Sequence, residues 1–559
     1  MSRRAYFVLL FAVSGFGVLV FNIYPIVWLM IGSVHKQPSG SFTLQYYRQV
    51  FSAFENLETI RNTFVLALGS IPLAALMGIV AALSTARIVT PLAGWTRAAS
   101  IVAFVSPPWI IAMAYALLFA PNAGFVNVWF YGLFGIKPFN AFSMGCMIFV
   151  TALFLYPYIY LVLTASLENM DSSYEEAAIT VGCSPLRALF TVTLPLVTPA
   201  LLTAILFSFV NVWGLYSLPA VLGIPSKIYV FATYLWFLLN SLPAKLELSA
   251  ALAAFFAVLS SLMFWGMLWL SKGYGQRFQV VAGRGHRSVR MDVPGLRIAL
   301  TVANVVLVGL ALIVPYAVLV AMSTSANPYR PPGPTNFTLM VYVGQLVDRD
   351  FLRITGNTVM VALGVGAVAG VLAVIVAYLG VRSSSRLREY LSAAAMFPII
   401  VPGVAFVIGT AWGWLRPPAV LYGTLTVIII NQVARYLPLG VANVRTGFTQ
   451  LHPSLEEAAL TCGASMGATI RRIAVPLIRP AVMSTFLLLL LSSMQDLLSP
   501  WFLGDGTPRT YTLAAKIFFL WDQGNVSQSA ALGVILVIVT FCVYIPVQRL
   551  LGRTSTRGA

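Results

Sequence analysis

Twelve apolar stretches constrain the fold of this 559-residue chain more than any other feature of its sequence. A helix of about 20 apolar residues crosses the core of a bilayer, which is about 30 Å thick. Because 59% of the residues are hydrophobic and only 9% are charged, lipid must surround most of the surface. We therefore expect an all-α membrane protein with twelve transmembrane helices, near residues 6–31, 62–86, 98–120, 141–165, 198–221, 249–270, 298–322, 357–380, 391–415, 420–443, 481–503 and 527–548.

The distribution of positive charge assigns an orientation to these spans. Twelve spans place both termini on one side, and that side holds 21 Lys and Arg residues against 12 on the other. Lys and Arg concentrate in cytoplasmic loops, so we expect both termini in the cytoplasm. The net charge of +18 then orients helices in the lipid bilayer. No basic stretch is interleaved with solvated aromatic side chains, so no nucleic-acid partner is expected.

The chain repeats itself at a nearly constant spacing. Asn62-Thr63 matches Asn357-Thr358 at an offset of 295 residues, and after a shorter loop the offset becomes 281, as for Pro157 and Pro438. Each half has six spans, so both halves enter the membrane in the same direction. The sequence therefore predicts two tandem parallel six-helix repeats, related by a pseudo-two-fold axis along the membrane normal.

A basic, glycine-containing segment separates the two repeats and defines the predicted domains. These are a first half at 1–270 with a core at about 58–270, a cytoplasmic linker at 271–297, and a second half at 298–559 with a core at about 353–548.

The longest inner loop of each half, 172–195 and 453–476, contains the same motif. Each begins with the pattern of a capping box, Ser173-x-x-Glu176 and Ser454-x-x-Glu457, in which serine and glutamate bond the first turn of a helix. Paired alanines then favour helix, a glycine bends it, and a proline is expected to close a second short helix before the next span. The pattern predicts a compact helix–bend–helix at the cytoplasmic surface.

This motif resembles the signature loop of type I ABC importer permeases, in which Glu-Ala-Ala is followed by Gly and later by Ile-x-Leu-Pro. The chain departs from it only in carrying Val192 for Ile and Val475 for Leu. The Asn-Thr pair that opens the second span of each half is also similar to this family. The residues assigned to the loop by the resemblance are Glu175, Glu176, Ala177, Ala178, Gly182 and Pro195 in the first copy, and Glu456, Glu457, Ala458, Ala459, Gly463 and Pro476 in the second.

The resemblance implies a fold, partners and a location. The fold would be that of a type I ABC importer permease, and the loop would dock in a cytoplasmic ABC ATPase dimer that uses ATP and Mg²⁺. A periplasmic solute-binding protein would deliver the solute to the outer face, with 32–61 and 323–356 as candidate docking segments. The membrane would be the bacterial inner membrane. The alternative for Glu176 and Glu457 is that they only cap their helices.

The chain carries no pattern of its own for catalysis. A Gly-rich phosphate loop with a following Lys-Ser/Thr, a Ser-His-Asp set and metal-spaced ligands are all absent from the sequence. Its four cysteines have no paired spacing. We expect no catalytic residue, no metal site and no cofactor bound by this chain, and hence no enzyme activity of its own.

Polar groups within spans are candidates for the solute pathway, because lipid disfavours them. These candidates are Asn211, Asn431, Gln495 and Asp496. Hydrogen bonding between helices is the alternative for the two asparagines, and Arg435 is expected to reach the inner interface or to pair with a carboxylate. The prolines at 107, 108 and 402 are expected to kink the third span of each half.

The fusion of two halves in one chain resembles the permeases of ferric-iron importers most closely. Thiamine, polyamine and aminophosphonate permeases share the architecture and remain alternatives. Two other classes stay open: an ion-coupled secondary transporter, which would need paired carboxylates at the midplane, and a structural or sensory membrane scaffold.

Overall fold

The first half of the chain is built almost entirely of helices. The computed structural model describes residues 3–36, 40–277, 290–328, 330, 333–415 and 419–555. The helices of the first half are α1 (Arg3–Val18), α2 (Tyr24–Val34), α3 (Gln45–Ser52), α4 (Phe54–Ala86), α5 (Ala93–Val105), α6 (Pro108–Phe119), α7 (Phe125–Phe134), α8 (Met144–Glu168), α9 (Ser173–Thr180), α10 (Pro185–Ala188), α11 (Leu194–Gly214), α12 (Ser217–Leu222), α13 (Phe231–Asn240) and α14 (Leu246–Arg277).

The second half repeats this series. Its helices are α15 (Pro294–Val308), α16 (Val314–Ser323), α17 (Met340–Val347), α18 (Arg349–Arg382), α19 (Leu387–Met396), α20 (Gly403–Trp414), α21 (Leu425–Gln450), α22 (Ser454–Thr461), α23 (Met466–Thr469), α24 (Val475–Leu477), α25 (Arg479–Met494), α26 (Leu498–Leu503), α27 (Leu513–Asp522) and α28 (Val526–Ser555). Two short strands, β1 (His35–Lys36) and β2 (Ser41–Phe42), form an antiparallel pair with His35 opposite Phe42.

The described residues confirm the predicted all-α membrane fold class. Nine helical segments are long and apolar enough to cross a membrane, and three further pairs bring the total to twelve if each bent pair is one span. The bends are 98° between α5 and α6, 107° at Pro402 and 76° at Ile478. The kinks predicted in the third spans are therefore confirmed, and they are nearly right-angled breaks.

Four other prolines each follow a wider helical turn. A wide π-turn stands just before Pro25, Pro195, Pro315 and Pro476, at Leu19–Ile23, Leu189–Thr193, Gly309–Ile313 and Ile470–Ala474. Proline lacks an N–H and crowds the carbonyl four residues earlier, and the wider turn relieves both problems. The helix from Pro185 continues through Pro195 to Gly214, so the expectation that Pro195 closes a short helix is wrong. The expectation holds in the second loop, where the helix from Met466 ends at Leu477, directly after Pro476.

Chain contacts divide the molecule into two compact units. The first-half unit contains Phe51–Phe237 and Val258–Ala321, and the second-half unit contains Met1–Val50, Leu238–Ala257 and Met322–Ala559. Each unit thus takes its first span from the opposite half of the sequence. The sequence-defined domains stay a prediction, and residues 278–289 of the linker lie outside the described residues. At the end of the linker, the Met291 N–H donates to the Arg87 carbonyl at 2.8 Å.

Within the second-half unit, the first span of the chain is fastened by specific contacts. The amide of the fully buried Asn22 donates to the carbonyls of Ala394 and Ala395 at 3.1 and 3.2 Å. The Tyr24 hydroxyl donates to the Gly413 carbonyl at 2.8 Å. One turn away, a Cβ at Gly409 would overlap the Pro25 carbonyl oxygen, so α2 and α20 approach at backbone distance.

Gly409→Ala should therefore lower the free energy of unfolding by about 2 kcal/mol, because backbone atoms cannot yield as a side chain does. The matched control is Gly370→Ala in α18, where an added Cβ meets no atom within 4 Å and alanine slightly favours helix. Thermal unfolding of the detergent-purified chain measures both changes. Equal stability of the two variants would show that α2 does not approach α20 this closely.

Candidate functional site

The two loops that carry the repeated motif, 172–195 and 453–476, have the predicted helix–bend–helix form. Gly182 and Gly463 lie two residues beyond the ends of α9 and α22 and adopt φ values of +93° and +83°, in the left-handed region. The N–H groups after the glycines close the ends by donating to the carbonyls of Ala178 and Ala459, both at 3.0 Å. Glycine suits this position because a Cβ would be strained there. The predicted bends are therefore confirmed.

The predicted capping boxes are absent from both loops. The Ser172 hydroxyl donates to the Glu176 carboxylate at 3.1 Å, and Ser454 bonds the His452 ring at 2.8 Å. The residues ahead of the helices, Ser172 and Pro453, already have helical backbone angles. An N-cap serine needs an extended backbone to reach the first turn, so these prediction details are wrong.

The structure separates the two glutamates of each motif. Glu175 and Glu456 are buried, with exposed fractions of 2% and 5%, whereas Glu176 and Glu457 are exposed. Adjacent residues project about 100° apart on a helix, so one carboxylate turns inward and the next faces outward. The sequence motif treats the pair as a unit, but the two positions have different surroundings.

In the first loop, the buried glutamate meets an arginine from the end of α4. Arg87 Nη1 lies 3.6 Å from Glu175 Oε2, and Arg87 Nη2 donates to the Met170 carbonyl at 2.7 Å. The Thr193 hydroxyl donates to Glu175 Oε1 at 2.5 Å. Burial lowers the pKa of Arg87, and the charge of Glu175 acts against that shift. The loop is thereby held to the end of the second span.

The second loop repeats this arrangement with closer contacts. Arg382 Nε donates to Glu456 Oε1 at 2.8 Å, and Arg382 Nη2 donates to the Leu451 carbonyl at 2.7 Å. The Tyr378 hydroxyl donates to Glu456 Oε2 at 3.0 Å. We call these two contacts the Arg–Glu locks, Arg87–Glu175 and Arg382–Glu456.

Sequence reasoning missed the locks because it counted both arginines only as inside charges. A signal was present, since Arg87 and Arg382 share the 295-residue offset of Asn62 and Asn357.

The locked loops leave part of their surface uncovered. On the first loop, exposed apolar side chains accompany Glu176: Tyr174 at 42%, Val181 at 89%, Leu186 at 46% and Phe190 at 63%. On the second, Glu457 accompanies Leu455, which is 48% exposed. Of the paired alanines in each motif, the first is exposed (Ala177 and Ala458) and the second is half-buried (Ala178 and Ala459). Each loop therefore presents a rigid surface with an acidic side chain on it.

Among the pathway candidates, the structure places Asp496 in a buried polar network. Arg435 Nη1 donates to both Asp496 oxygens at 3.1 Å, and the Ser499 hydroxyl donates to the same carboxylate. The same hydroxyl lies 2.9 Å from the Asn431 side-chain oxygen, so its single proton is shared between two acceptors. The Asn431 amide donates to the Thr410 hydroxyl at 2.8 Å. Asn431 thus bonds between helices, and Arg435 pairs with a carboxylate, which were the alternatives considered for them.

The other two candidates lie apart from this network. Gln495 is half-buried at the end of α25. Asn211 is exposed in the first-half unit and donates to the Phe207 carbonyl of its own helix at 2.9 Å, so the interhelical alternative fails for it. A pathway role for Asn211, Asn431, Gln495 and Asp496 stays a prediction. In the described part of the chain, no group of three or more His, Cys, Asp or Glu residues is placed to hold a metal ion.

Comparison with known proteins matches the two halves separately to one family. The family described as "Binding-protein-dependent transport system inner membrane component" matches residues 70–276 and 366–556. The ferric transport system permease protein FbpB of Actinobacillus pleuropneumoniae is 24% identical over 96% of this chain and 77% of its own length. A putative ferric transport system permease, FbpB 1 of Haemophilus influenzae, is 23% identical over 89% of this chain and 78% of its own length.

Some other relatives match less than half of the chain. The putative 2-aminoethylphosphonate transport system permease PhnV of Salmonella typhimurium is 27% identical over 44% of this chain and 90% of its own length. Among solved structures, a bacterial ABC transporter that imports alginate is 17% identical, with a TM-score of 0.40, over 46% of this chain and 91% of its own chain.

Replacing one buried glutamate should weaken its loop far more than replacing its exposed neighbour. Glu456→Gln leaves the charge of Arg382 uncompensated, and breaking a buried pair costs about 3 kcal/mol. Glu457→Gln, the matched control, should change stability by less than about 0.5 kcal/mol. Hydrogen exchange of residues 451–465 and thermal unfolding measure the difference.

The double variant Arg382→Met with Glu456→Gln removes both charges and should recover much of the lost stability. Glu456→Gln and Glu457→Gln proving equally stable would mean that the Arg–Glu lock does not hold the loop.

Proposed function

Because the chain belongs to the family of binding-protein-dependent transport system inner membrane components, we propose that it is the membrane-spanning permease of a type I ABC importer. The observation that carries this proposal is the pair of locked loops, each presenting an exposed glutamate on a rigid helix–bend–helix. A loop that transmits movement from an ATPase to the spans must hold its shape and must be attached to a span. Each loop meets both requirements, because its Arg–Glu lock joins it to the end of a long span.

ATP hydrolysis in this proposal takes place in a separate subunit. A cytoplasmic ABC ATPase dimer uses ATP and Mg²⁺, and each ATPase receives one loop of the permease. Glu176 and Glu457 are the acidic contacts, and the apolar side chains around Glu176 fill the remaining groove. Closure of the dimer then moves both loops, the pathway opens outward, and hydrolysis resets it inward.

Orientation and location follow from the same assignment. The loops and both termini lie in the cytoplasm, in agreement with the excess of Lys and Arg on that side, and the membrane is the bacterial inner membrane. A periplasmic solute-binding protein docks on the opposite face, where the segments 32–61 and 323–356 contain the short helices α3 and α17.

Ferric iron is the solute that we propose. The two relatives that carry ferric transport names match nearly the whole fused chain, whereas the aminoethylphosphonate relative matches 44% of it. A chain with both halves in one polypeptide thus has its counterpart among ferric permeases. Aminophosphonate, thiamine and polyamines remain the alternative solutes for the same machinery.

A secondary transporter is disfavoured by the surroundings of Asp496. Coupling to an ion requires a carboxylate that exchanges its charge partner with each cycle. Asp496 is instead bonded by Arg435 and by Ser499, and such a pair is costly to break in a membrane.

Reversing the exposed charges should release the ATPase without unfolding the permease. In Glu176→Arg with Glu457→Arg, we expect at least a tenfold loss of ATPase subunit recovered with the tagged permease, since like charges replace complementary ones. The control is Glu58→Arg, the same substitution at one exposed position on the far end of α4, which should retain the ATPase. Retention of the ATPase by the doubly reversed permease would overturn the proposed docking.

Uptake by reconstituted vesicles tests the solute. With the complete importer, its binding protein and ATP inside, radiolabelled Fe³⁺ should accumulate, and 2-aminoethylphosphonate should not. A non-hydrolysable ATP analogue is the control, and it should abolish uptake. Accumulation of the phosphonate alone would replace the proposed solute and leave the importer assignment in place.

A further inference from the structure

The Asn-Thr pair that opens each second span has a structural role that the proposed function leaves unused. Near the start of α4, the Asn62 amide donates to the Tyr229 carbonyl at 3.2 Å. The next side chain, Thr63, accepts a hydrogen bond from the Phe231 N–H at 2.8 Å. Both side chains are buried, with exposed fractions of 7% and 1%. They fasten the segment that leads into α13.

The second half repeats the arrangement at matching positions. The Asn357 amide lies 3.2, 3.1 and 3.0 Å from the carbonyls of Pro508, Arg509 and Tyr511. Thr358 accepts from the Leu513 N–H at 2.8 Å. An amide has only two N–H groups, so the three carbonyls share them. We call these contacts the Asn–Thr clasps, Asn62-Thr63 and Asn357-Thr358.

The threonine hydroxyls are oriented for this task. Thr63 donates its proton to the Thr59 carbonyl at 2.7 Å, and Thr358 donates to the Ile354 carbonyl at 2.8 Å. Because each threonine hydroxyl donates its proton within its own helix, its oxygen is free to accept the N–H of Phe231 or Leu513. The clasp therefore holds a loop to a helix through an acceptor that is fixed in direction.

Each clasp lies on the same helix as an Arg–Glu lock, at its other end. In both halves, 25 residues separate the asparagine of the clasp from the arginine of the lock. At 1.5 Å per residue, that separation is about 37 Å along the helix, which exceeds a bilayer core of about 30 Å. Clasp and lock therefore lie at opposite faces of the membrane.

We propose that the residues of the Asn–Thr clasps are positioning residues, through which α4 and α18 transmit movement from one face of the membrane to the other. The Arg–Glu lock attaches each of these helices to an ATPase-docking loop. The Asn–Thr clasp attaches the same helix to the segment ahead of α13 or α27 on the outer face. Movement of a locked loop then carries that outer segment with it. The inference rests on the proposed function, because it needs an ATPase below and a binding protein above.

The two clasps should contribute unequally. Asn357 holds three carbonyls and Asn62 holds one, whereas each threonine accepts a single bond of 2.8 Å. Loss of the asparagine amide should therefore weaken coupling more in the second half, and loss of the threonine acceptor should weaken it equally in both halves.

The test uses the complete importer in lipid nanodiscs and compares Thr358→Val with Thr358→Ser. Valine keeps the shape and removes the acceptor, and serine keeps the hydroxyl. Basal ATP hydrolysis should stay within about twofold of wild type in both variants. Stimulation of hydrolysis by the solute-loaded binding protein should fall about tenfold in Thr358→Val and return in Thr358→Ser.

Two results would overturn the clasp: unchanged stimulation in Thr358→Val, or parallel loss of basal and stimulated hydrolysis with no rescue by serine. If Thr358→Val does not fold, Thr63→Val with Thr63→Ser in the other half decides the same question. A wild-type complex that shows no stimulation at all would overturn the proposed function, and the clasp with it. A failed clasp and a failed importer assignment thus give different results.

Discussion

Two charge pairs, Arg87–Glu175 and Arg382–Glu456, determine which side chains the two helix–bend–helix loops expose. An arginine that stays protonated in proteins is tolerated away from water only beside a carboxylate. Full burial of Arg87 and partial burial of Arg382, whose side chain is 12% exposed, therefore turn Glu175 and Glu456 inward. The helix that carries each glutamate is thereby fixed in rotation, and the neighbouring glutamate must face outward. The first lock is the looser one, since Arg87 Nε and Nη1 and Glu175 Oε2 have no hydrogen-bond partner, although charge attraction remains between them.

Lipid imposes a second constraint, because every backbone group within it must be bonded internally. The chain contains many prolines, and some of them stand inside unbroken α-helices, as Pro72, Pro157 and Pro438 do. A π-turn precedes Pro195, and the helix continues through that proline to Gly214. Where proline stands at a break, as at Pro107 and Pro402, the helix turns through about a right angle, and the sequence on either side supplies a new helix start.

Local pattern made the spans, the repeat and the bends at Gly182 and Gly463 predictable, because hydropathy and left-handed turns depend on residues close in sequence. The locks and clasps were not predictable in this way, since Arg382 and Glu456 meet only after the intervening spans have packed. The capping boxes failed for a subtler reason: the serines have the right spacing, but the chain enters each helix with helical angles already. The hydrophobic pattern of the sequence did not predict that the first spans are exchanged between the two units. Such a pattern indicates that a helix is buried, but it does not identify the helices against which it packs.

The two halves of the chain differ most in the middle of their spans and least at the ends of their spans. Locks and clasps recur at constant offsets, but the network around Asp496 has no counterpart, because the positions matching Asp496, Arg435 and Asn431 are Leu215, Phe154 and Val150. In the proposed importer this division has a physical basis. Each of the two loops binds one ATPase subunit, so both Arg–Glu locks have the same task. The interior of the spans serves a single solute, so one half is free to carry charge. An ion pair inside lipid is retained only where it is needed, and its presence in one half alone marks the region where the two repeats perform different tasks.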